Sequence, residues 1–494
     1  MVEKPDWIFD RDDEWQAITS FISGGLTVGA RPRATLGVIS GRRRQGKSFL
    51  LQSLAEQVGG LYFAATEATE AESLRGFARA LDPHIRTRLP AFDDWNEAIA
   101  GLFTGIGDNP TTVVIDEFPF LARASPSLPS IIQRELGPGG SGFGSGVRLL
   151  LCGSAMSAMG KLLSGQAPLR GRASLEMVVK PFSYRGSAKF WGLTDPRLAV
   201  MVHAIVGGTP AYRHEFSGGD VPADLADFDS WVARTVLNPR SPLFREARYL
   251  LAEETDIRDP ALYHTILAAI ASGKSTNGKI ATYVGRKSDQ ITHPLNVLED
   301  CGLVVRDADM IRGNRSLYRI AEPLIAFYEA IMRDRWSDLE MARADSVWAD
   351  SRQTYLSKVV GPHFEALCRE FAAGADETLF AGRPAEVGAG VVSDPVSRTQ
   401  IEVDVVVKAG SDRGPRCLLS LGEVKWGEAM GVGHIARLTR ARDLLAAKGW
   451  DTSSTRLACY SGVGFTDELR AAAAVDERIL LIDLDQIYAP ESVR

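Results

Sequence analysis

The sequence predicts an α/β protein: a parallel sheet covered by helices, then a mostly helical stretch, then a second, smaller α/β domain. Three observations carry this. Short apolar runs alternate with helix-like segments up to Pro181, the pattern of a parallel sheet with crossover helices. The octapeptide GRRRQGKS, Gly41 to Ser48, joins one of those runs to an amphipathic stretch. β character fades after Pro181 and returns around Ile401 to Val407 and Cys417 to Val424.

The first strand is expected over Ala34 to Ser40 and the following helix over Phe49 to Val58. Between them the GxxxxGK[ST] spacing makes a phosphate-binding loop, because glycines let successive backbone N–H groups turn inward around a polyphosphate. Gly41, Arg42, Arg43, Arg44, Gln45 and Gly46 would form the cradle. Lys47 would reach the β- and γ-phosphates, and the Ser48 hydroxyl would join a Mg²⁺ shell. A helix starting at the same point adds the positive end of its dipole.

Further strands are expected at Leu61 to Ala65, Thr111 to Asp116, Val147 to Cys152 and Leu175 to Val179, each short and apolar enough to be buried. The third of these five runs ends in Asp116 and Glu117, at the carboxyl edge where open parallel sheets gather their ligands. Asp116 is expected to hold Mg²⁺ through water and Glu117 to orient and deprotonate an attacking water. Ser154, after the next strand, is a candidate contact to the γ-phosphate or its water, with an ordinary turn serine as the competing reading. Downstream, Arg170 and Arg172 supply guanidiniums for a transferring phosphoryl group, against the alternative of a solvated basic loop.

At 494 residues the chain suggests about three domains on the prior of ~150 residues each. Its formal charge of −6 does not favour nonspecific nucleic-acid binding by the whole molecule but allows a basic patch on one domain. The five cysteines show no CxxC pair and read as reduced or buried thiols. With a charged N-terminus and no apolar run of membrane length, a cytoplasmic protein without a membrane partner is expected.

The order along the rest of the chain predicts a P-loop core over 1–182, a helical lid over 183–256, a winged helix-turn-helix over 257–320, a helical linker over 321–353 and an α/β domain over 354–494. The winged unit rests on helices at Ala261 to Ala271, Asn277 to Val284 and Ser288 to Asp300, followed by two β-like runs. Its third helix offers Arg286, Lys287, Ser288, Gln290, Thr292, His293 and Asn296 as phosphate and base-edge donors, and Arg306, Arg312, Arg315 and Arg319 decorate the wing. Such helices also dock proteins, so a protein contact is the alternative to DNA.

In the last domain, Ile401 to Val407 alternates acidic and apolar residues, placing Glu402 and Asp404 on one strand face. Glu423 and Lys425 share a face of the next strand. Asp404 opposite Glu423 would make a hard oxygen site for Mg²⁺ or Mn²⁺ with the Lys425 ammonium beside a bound water, and Glu365 on the preceding helix could add a carboxylate. Cross-strand Glu/Lys pairing on an exposed face is the competing structural reading.

GRRRQGKS, VVIDEFPFL, CGSAMSAMGKLLSGQAPLRGR, VVKPFSY and GGTPAY, in that order over Phe9 to Tyr212, resemble the archaeal-type P-loop ATPases of the STAND branch. The resemblance implies ATP as the nucleotide, places Phe9 and Arg11 of the early FDRDDEW segment beside the adenine, and implies a winged helix and a C-terminal domain similar to PD-(D/E)xK nucleases, a restriction-endonuclease-like fold. Arg170 stands where the family more often has an aromatic residue, so Arg172 is the better candidate for the phosphate-sensing arginine. The implied protein is an ATP-hydrolysing switch coupled to DNA binding and a metal-dependent nuclease, in defence or DNA processing, with a protein trigger or self-association as further partners. A regulatory or scaffold ATPase whose C-terminal domain binds without cutting is the alternative.

Overall fold

The computed structural model describes residues 2–24, 26–28, 31–85, 92–252, 257, 259–410, 414 and 416–490. The chain forms two compact units. Among the described residues the first comprises 2–182 with Thr209–Ala211, and the second holds the rest. The expected boundary at residue 256 lies outside the described residues.

The first unit is built on β1 (Thr35–Ser40), α1 (Lys47–Val58), β2 (Leu61–Ala64), β3 (Thr111–Asp116), β4 (Val147–Gly153) and β5 (Ala173–Val178). The five strands are all parallel, in the order β2-β3-β4-β1-β5. Both faces are covered, which is why the strands read as apolar runs. Ile39, Val114 and Leu150 pack with Leu50, Leu51 and Leu54 of α1, while Val38, Val113, Ile115, Leu149 and Leu151 pack with Phe77, Trp95 and Leu102. Because β4 lies between β1 and β3, the ends of these three strands converge on one edge.

In the second unit α2 (Pro260–Ala271), α3 (Asn277–Val284) and α4 (Ser288–Asp300) precede an antiparallel hairpin of β6 (Val304–Ala308) and β7 (Ser316–Ile320). Gly285 ends α3 at φ +72°, the left-handed turn that Gly supplies without steric penalty. Then come α5 (Gly361–Ala373), β8 (Pro384–Asp394), β9 (Thr399–Ala409), β10 (Leu418–Lys425), α6 (Val432–Ala446), β11 (Arg456–Ser461) and β12 (Ile479–Ile482). The last five strands form one sheet in sequential order, antiparallel from β8 to β10 and parallel from β10 to β12.

One hydrophobic cluster of this unit takes residues from Tyr184 to Ala247, from Leu324 to Phe380 and from Val405 to Ile487. The expected division at 353/354 therefore crosses a continuous core. Strand β8 had no counterpart in the sequence reading, since Gly388 and Gly390 interrupt its apolar pattern. Among the described residues no helix is long and apolar enough to cross a membrane.

Candidate functional site

The loop after β1 owes its shape to three residues at positive φ: Gly41 at +154°, Arg44 at +67° and Gly46 at +80°. A Cβ on Gly41 would lie 2.6 Å from the Val179 carbonyl oxygen, so the close approach admits no side chain. Lys47 opens α1, is only 4% exposed, and donates from Nζ to the Arg42 carbonyl at 2.7 Å. Burial pulls its pKa below the ordinary lysine value, opposed by the nearby Asp116 and Glu117 carboxylates. An ammonium folded over its own loop is thereby held at the N-terminal end of α1, with two carboxylates nearby.

Asp116 closes β3 and collects donors. Tyr62 Oη donates to its Oδ2 at 2.6 Å, and the Glu117 N–H donates to Oδ1 at 2.9 Å. Burial alone would raise this carboxyl. Hydrogen bonds from Ser48, Tyr62, Cys152 and the Glu117 N–H outweigh it and hold the pKa below the usual carboxylate value. Ser48 and Asp116, the two expected Mg²⁺ contacts, are thus joined directly. Glu117 sits at φ +51°, a strained conformation for a non-glycine residue, and Ser154 Oγ donates to Glu117 Oε1 at 2.8 Å. Ser154 therefore engages Glu117 rather than standing open toward a phosphate.

Arg11 is buried. It donates to Glu14 Oε1 at 2.8 Å and to the Gln45 carbonyl at 3.1 Å, and its guanidinium lies 4.5 Å from the centre of the Phe182 ring. Phe9 meets the same ring edge-on at 5.5 Å and is 36% exposed. These residues brace the loop and leave one aromatic surface accessible. Arg172 is a correction. It immediately precedes β5, whose Ala173 pairs with Leu36 near the start of β1, whereas the phosphate loop follows Ser40 at the other end. Strand rise puts it about 15–20 Å from the loop, beyond the reach of an arginine acting on a nucleotide bound to its own copy. Arg170, exposed, donates to the Gly165 carbonyl.

The sequence reading missed Tyr62, whose position inside an apolar run resembles any core tyrosine. It also missed any role for Thr209 and Pro210: Gln45 Nε2 donates to Thr209 Oγ1 at 3.1 Å, and a Cβ on Gly46 would lie 3.9 Å from Pro210 Cγ. Thr209 and Pro210 thus pack against the loop.

In the C-terminal sheet two of the expected carboxylates face each other across neighbouring strands. The β9–β10 register pairs Val405 with Gly422; continued by one residue, it sets Asp404 opposite Glu423. Asp404 and Val405 together oppose Ala389 of β8, a β-bulge of the kind that re-aims side chains. Val403 and Val406 consequently pack with Leu438 and Leu445 of α6, while Val405 and Val407 pack with Phe364 and Leu367 of α5. Strict alternation would have left Val405 on the same face as Val403.

Asp404 Oδ2 accepts from the Val424 N–H at 2.9 Å. Glu423 Oε1 is held by Arg437 at 2.7 Å and Lys425 at 3.2 Å, while its buried Oε2 has no hydrogen-bond partner. Arg369 donates to the Asp404 carbonyl and lies 3.8 Å from Glu365. Burial, followed by the charge of Asp404, pushes Glu365 up to about 7, and burial with the charge of Glu423 raises Asp404. Among the described residues no group of three or more His, Cys, Asp or Glu side chains is gathered to hold a metal. The opposed Asp404–Glu423 pair with its unpartnered Glu423 oxygen still fits a Mg²⁺ or Mn²⁺ ion that takes its other ligands from water and a substrate phosphate. Arg437 and Arg369 were not foreseen, since their partners are set by packing alone.

Arg286 and Lys287 in the turn before α4, and Ser288, Gln290, Thr292, His293 and Asn296 on it, are all exposed. Gln290 accepts from the Lys287 N–H, and Thr292 accepts from Asn277. The hairpin arginines are otherwise disposed. Arg306 donates to Ser316, Arg312 to Ser393 and Arg319 to Asp307, and Arg315 lies 4.0 Å from Asp309.

No protein-family model matches the chain. It is 28% identical over 340 residues to the uncharacterized protein MJECL04 of Methanocaldococcus jannaschii, spanning 68% of this chain and 72% of that protein. Among solved structures it is similar to the Walker-type ATPase paby2304 of Pyrococcus abyssi, with 20% identity, a TM-score of 0.48, and coverage of 65% of this chain and 96% of that one. It is also similar to the Aeropyrum pernix ORC2 protein in its ADPNP–ADP complexes, with 16% identity, a TM-score of 0.42, and coverage of 71% and 97%. The assignment of the first unit as a P-loop fold rests on its own strand order and loop geometry.

Proposed function

We propose that this protein is an ATP-binding and ATP-hydrolysing switch whose second unit binds DNA through α4 and carries a metal-dependent phosphodiesterase site. The observation that carries the ATPase reading is the joint placement of buried Lys47, the Ser48–Asp116 pair and Glu117 at one sheet edge. Lys47 and the loop N–H groups would bind the β- and γ-phosphates. Ser48 and Asp116 would hold Mg²⁺, which neutralises phosphate charge when bound. Glu117, once released by Ser154, would accept a proton from the attacking water. Phe9, packed on Phe182 beside the Arg11-braced loop, offers a face for the adenine.

At the second site, Asp404 and Glu423 would hold Mg²⁺ or Mn²⁺, which polarises a phosphodiester and acidifies water, and Lys425 would steady the developing charge. One observation favours the alternative of a regulatory or scaffold ATPase: Arg437 and Lys425 already neutralise Glu423.

The test measures ATP hydrolysis, and Mn²⁺- or Mg²⁺-dependent cleavage of plasmid, linear and single-stranded DNA. The unaltered chain is compared with Lys47→Ala, Glu117→Gln and Asp404→Ala. Glu117→Gln is expected to lower hydrolysis about 10²–10⁴-fold while keeping ATP binding, as loss of a general base does. Asp404→Ala is expected to abolish cleavage and spare hydrolysis. Hydrolysis without any cleavage would move the assignment to the regulatory reading. Tighter binding of GTP than ATP would refute the nucleotide choice.

A further inference from the structure

The tip of the β6–β7 hairpin does not stand clear of the protein. The Met310 N–H donates to the Ala389 carbonyl at 2.9 Å, extending the β8 edge by one ladder position. Buried Asp309 accepts from the Ile311, Arg312 and Val391 N–H groups at 3.0, 2.9 and 3.3 Å. A Cβ on Gly388 would lie 2.7 Å from Met310 Cγ, and one on Gly390 2.6 Å from Ile311 Cγ1, so the two glycines leave slots that these side chains fill. Arg312 donates to Ser393 farther along β8. Of the four hairpin arginines, three are hydrogen-bonded within the chain and Arg315 lies beside Asp309.

The docking position is also specific. Ala389 is the residue facing the bulge at Asp404 and Val405. The Met310 backbone thus sits two strand spacings, about 10 Å, from the backbone of Asp404. Helix α4 leads directly into β6 and shares a core with it through Leu295, Leu298 and Val304. A continuous run of packed and hydrogen-bonded elements therefore links the exposed face of α4 to the carboxylates.

We propose that the hairpin is a fixed coupler rather than a nucleic-acid reader: it joins the α4 face and the carboxylate site into one surface, so that a duplex held by α4 is presented to Asp404 and Glu423 at a set distance. This rests on the DNA and nuclease readings above. The hairpin engages Arg306, Arg315 and Arg319 with its own residues, spends Arg312 and its apolar tip on β8, whose open edge it covers, and leaves base and phosphate contact to α4. The partner is one continuous DNA duplex spanning both places.

The five native cysteines are buried, so cysteines introduced in the full chain at exposed Glu299 on α4 and at Val396 in the β8–β9 turn, 81% exposed, can carry tethered iron–EDTA. On a long mixed-sequence duplex, radical cleavage from both tethers of one bound molecule is expected to excise internal fragments of a single narrow length. Gly388→Val with Gly390→Val, or the milder Met310→Ala with Arg312→Ala should the first pair not fold, is expected to broaden that length. Arg306→Ala with Arg319→Ala is expected to leave duplex affinity within about twofold, whereas Arg286→Ala with Lys287→Ala lowers it and its salt dependence. Broad fragments from the doubly tethered chain overturn the coupler, as do unchanged fragments in both docking variants or an equal loss of affinity from the hairpin and α4 pairs. Failure to bind the duplex removes the DNA reading and the coupler with it. Narrow fragments without Mn²⁺-dependent cleavage keep the coupler and remove only the nuclease reading.

Discussion

At the scale of single residues, the first unit depends on hydrogen bonds that aim charges rather than on the charges alone. Tyr62 is the clearest case: its hydroxyl donates to the same Asp116 carboxylate that meets Ser48. Tyr62→Phe removes that donor and lets the Asp116 pKa rise. The expected outcome is a higher Mg²⁺ concentration for half-maximal ATP hydrolysis, with little change in maximal rate at saturating Mg²⁺; an unchanged Mg²⁺ titration would show that Tyr62 only packs. A second test concerns Asp394, held down to about 2 by hydrogen bonds from Arg440. A carboxyl whose folded pKa lies below its unfolded value adds stability that is present above the unfolded pKa and lost as pH falls through the folded one. Denaturant midpoints should therefore show Asp394→Asn less stable than the unaltered chain at pH 7, with the gap closing between about pH 4 and pH 2. Neither partner was legible in the sequence, where Tyr62 lies in LYFAA and Asp394 in a turn-like SDPVS.

At the scale of elements, local backbone demands are what the sequence displays best. The phosphate loop is legible because GxxxxGK[ST] specifies positive φ and an N-terminal helix turn within eight residues. Gly41→Ala tests this. A Cβ 2.6 Å from the Val179 oxygen, at φ +154°, forces the loop to shift, with an expected loss of about 1–3 kcal/mol in stability and of nucleotide affinity. Calorimetry and nucleotide titration read both. The strands around Asp404 were less legible. Alternation in IEVDVVV places the acidic residues on one face, but the bulge that changes the phase at Val405 has no local signature. Its cause is the pairing with β8, a strand the sequence concealed behind two glycines that serve the hairpin.

At the scale of the whole molecule, two compact units should unfold as two events. On the proposed reading ATP with Mg²⁺ binds only the first, so scanning calorimetry is expected to show two transitions of which nucleotide raises one. At 100 times Kd the stabilisation is about 2.7 kcal/mol by mass action, and Lys47→Ala should abolish the shift. Mn²⁺ without nucleotide should raise the other transition, and Asp404→Ala should remove that effect. A single transition moving as one with ATP would show instead that the units unfold together.

By itself the sequence determined the parallel α/β core, the phosphate loop with its lysine and serine, the acidic pair at a strand end, the three helices and hairpin, and the strands that carry Asp404 and Glu423. Each depends on periodicity or on spacing within a few residues, where backbone geometry and side-chain identity are coupled directly. Only the tertiary structure decided that Arg172 lies at the far edge of the sheet, that Ser154 holds Glu117, that Tyr62 and Arg437 donate to Asp116 and Glu423, and that the hairpin docks on β8. These contacts join residues distant along the chain. Strand order, register and packing choose such partners, and no short stretch of sequence encodes them.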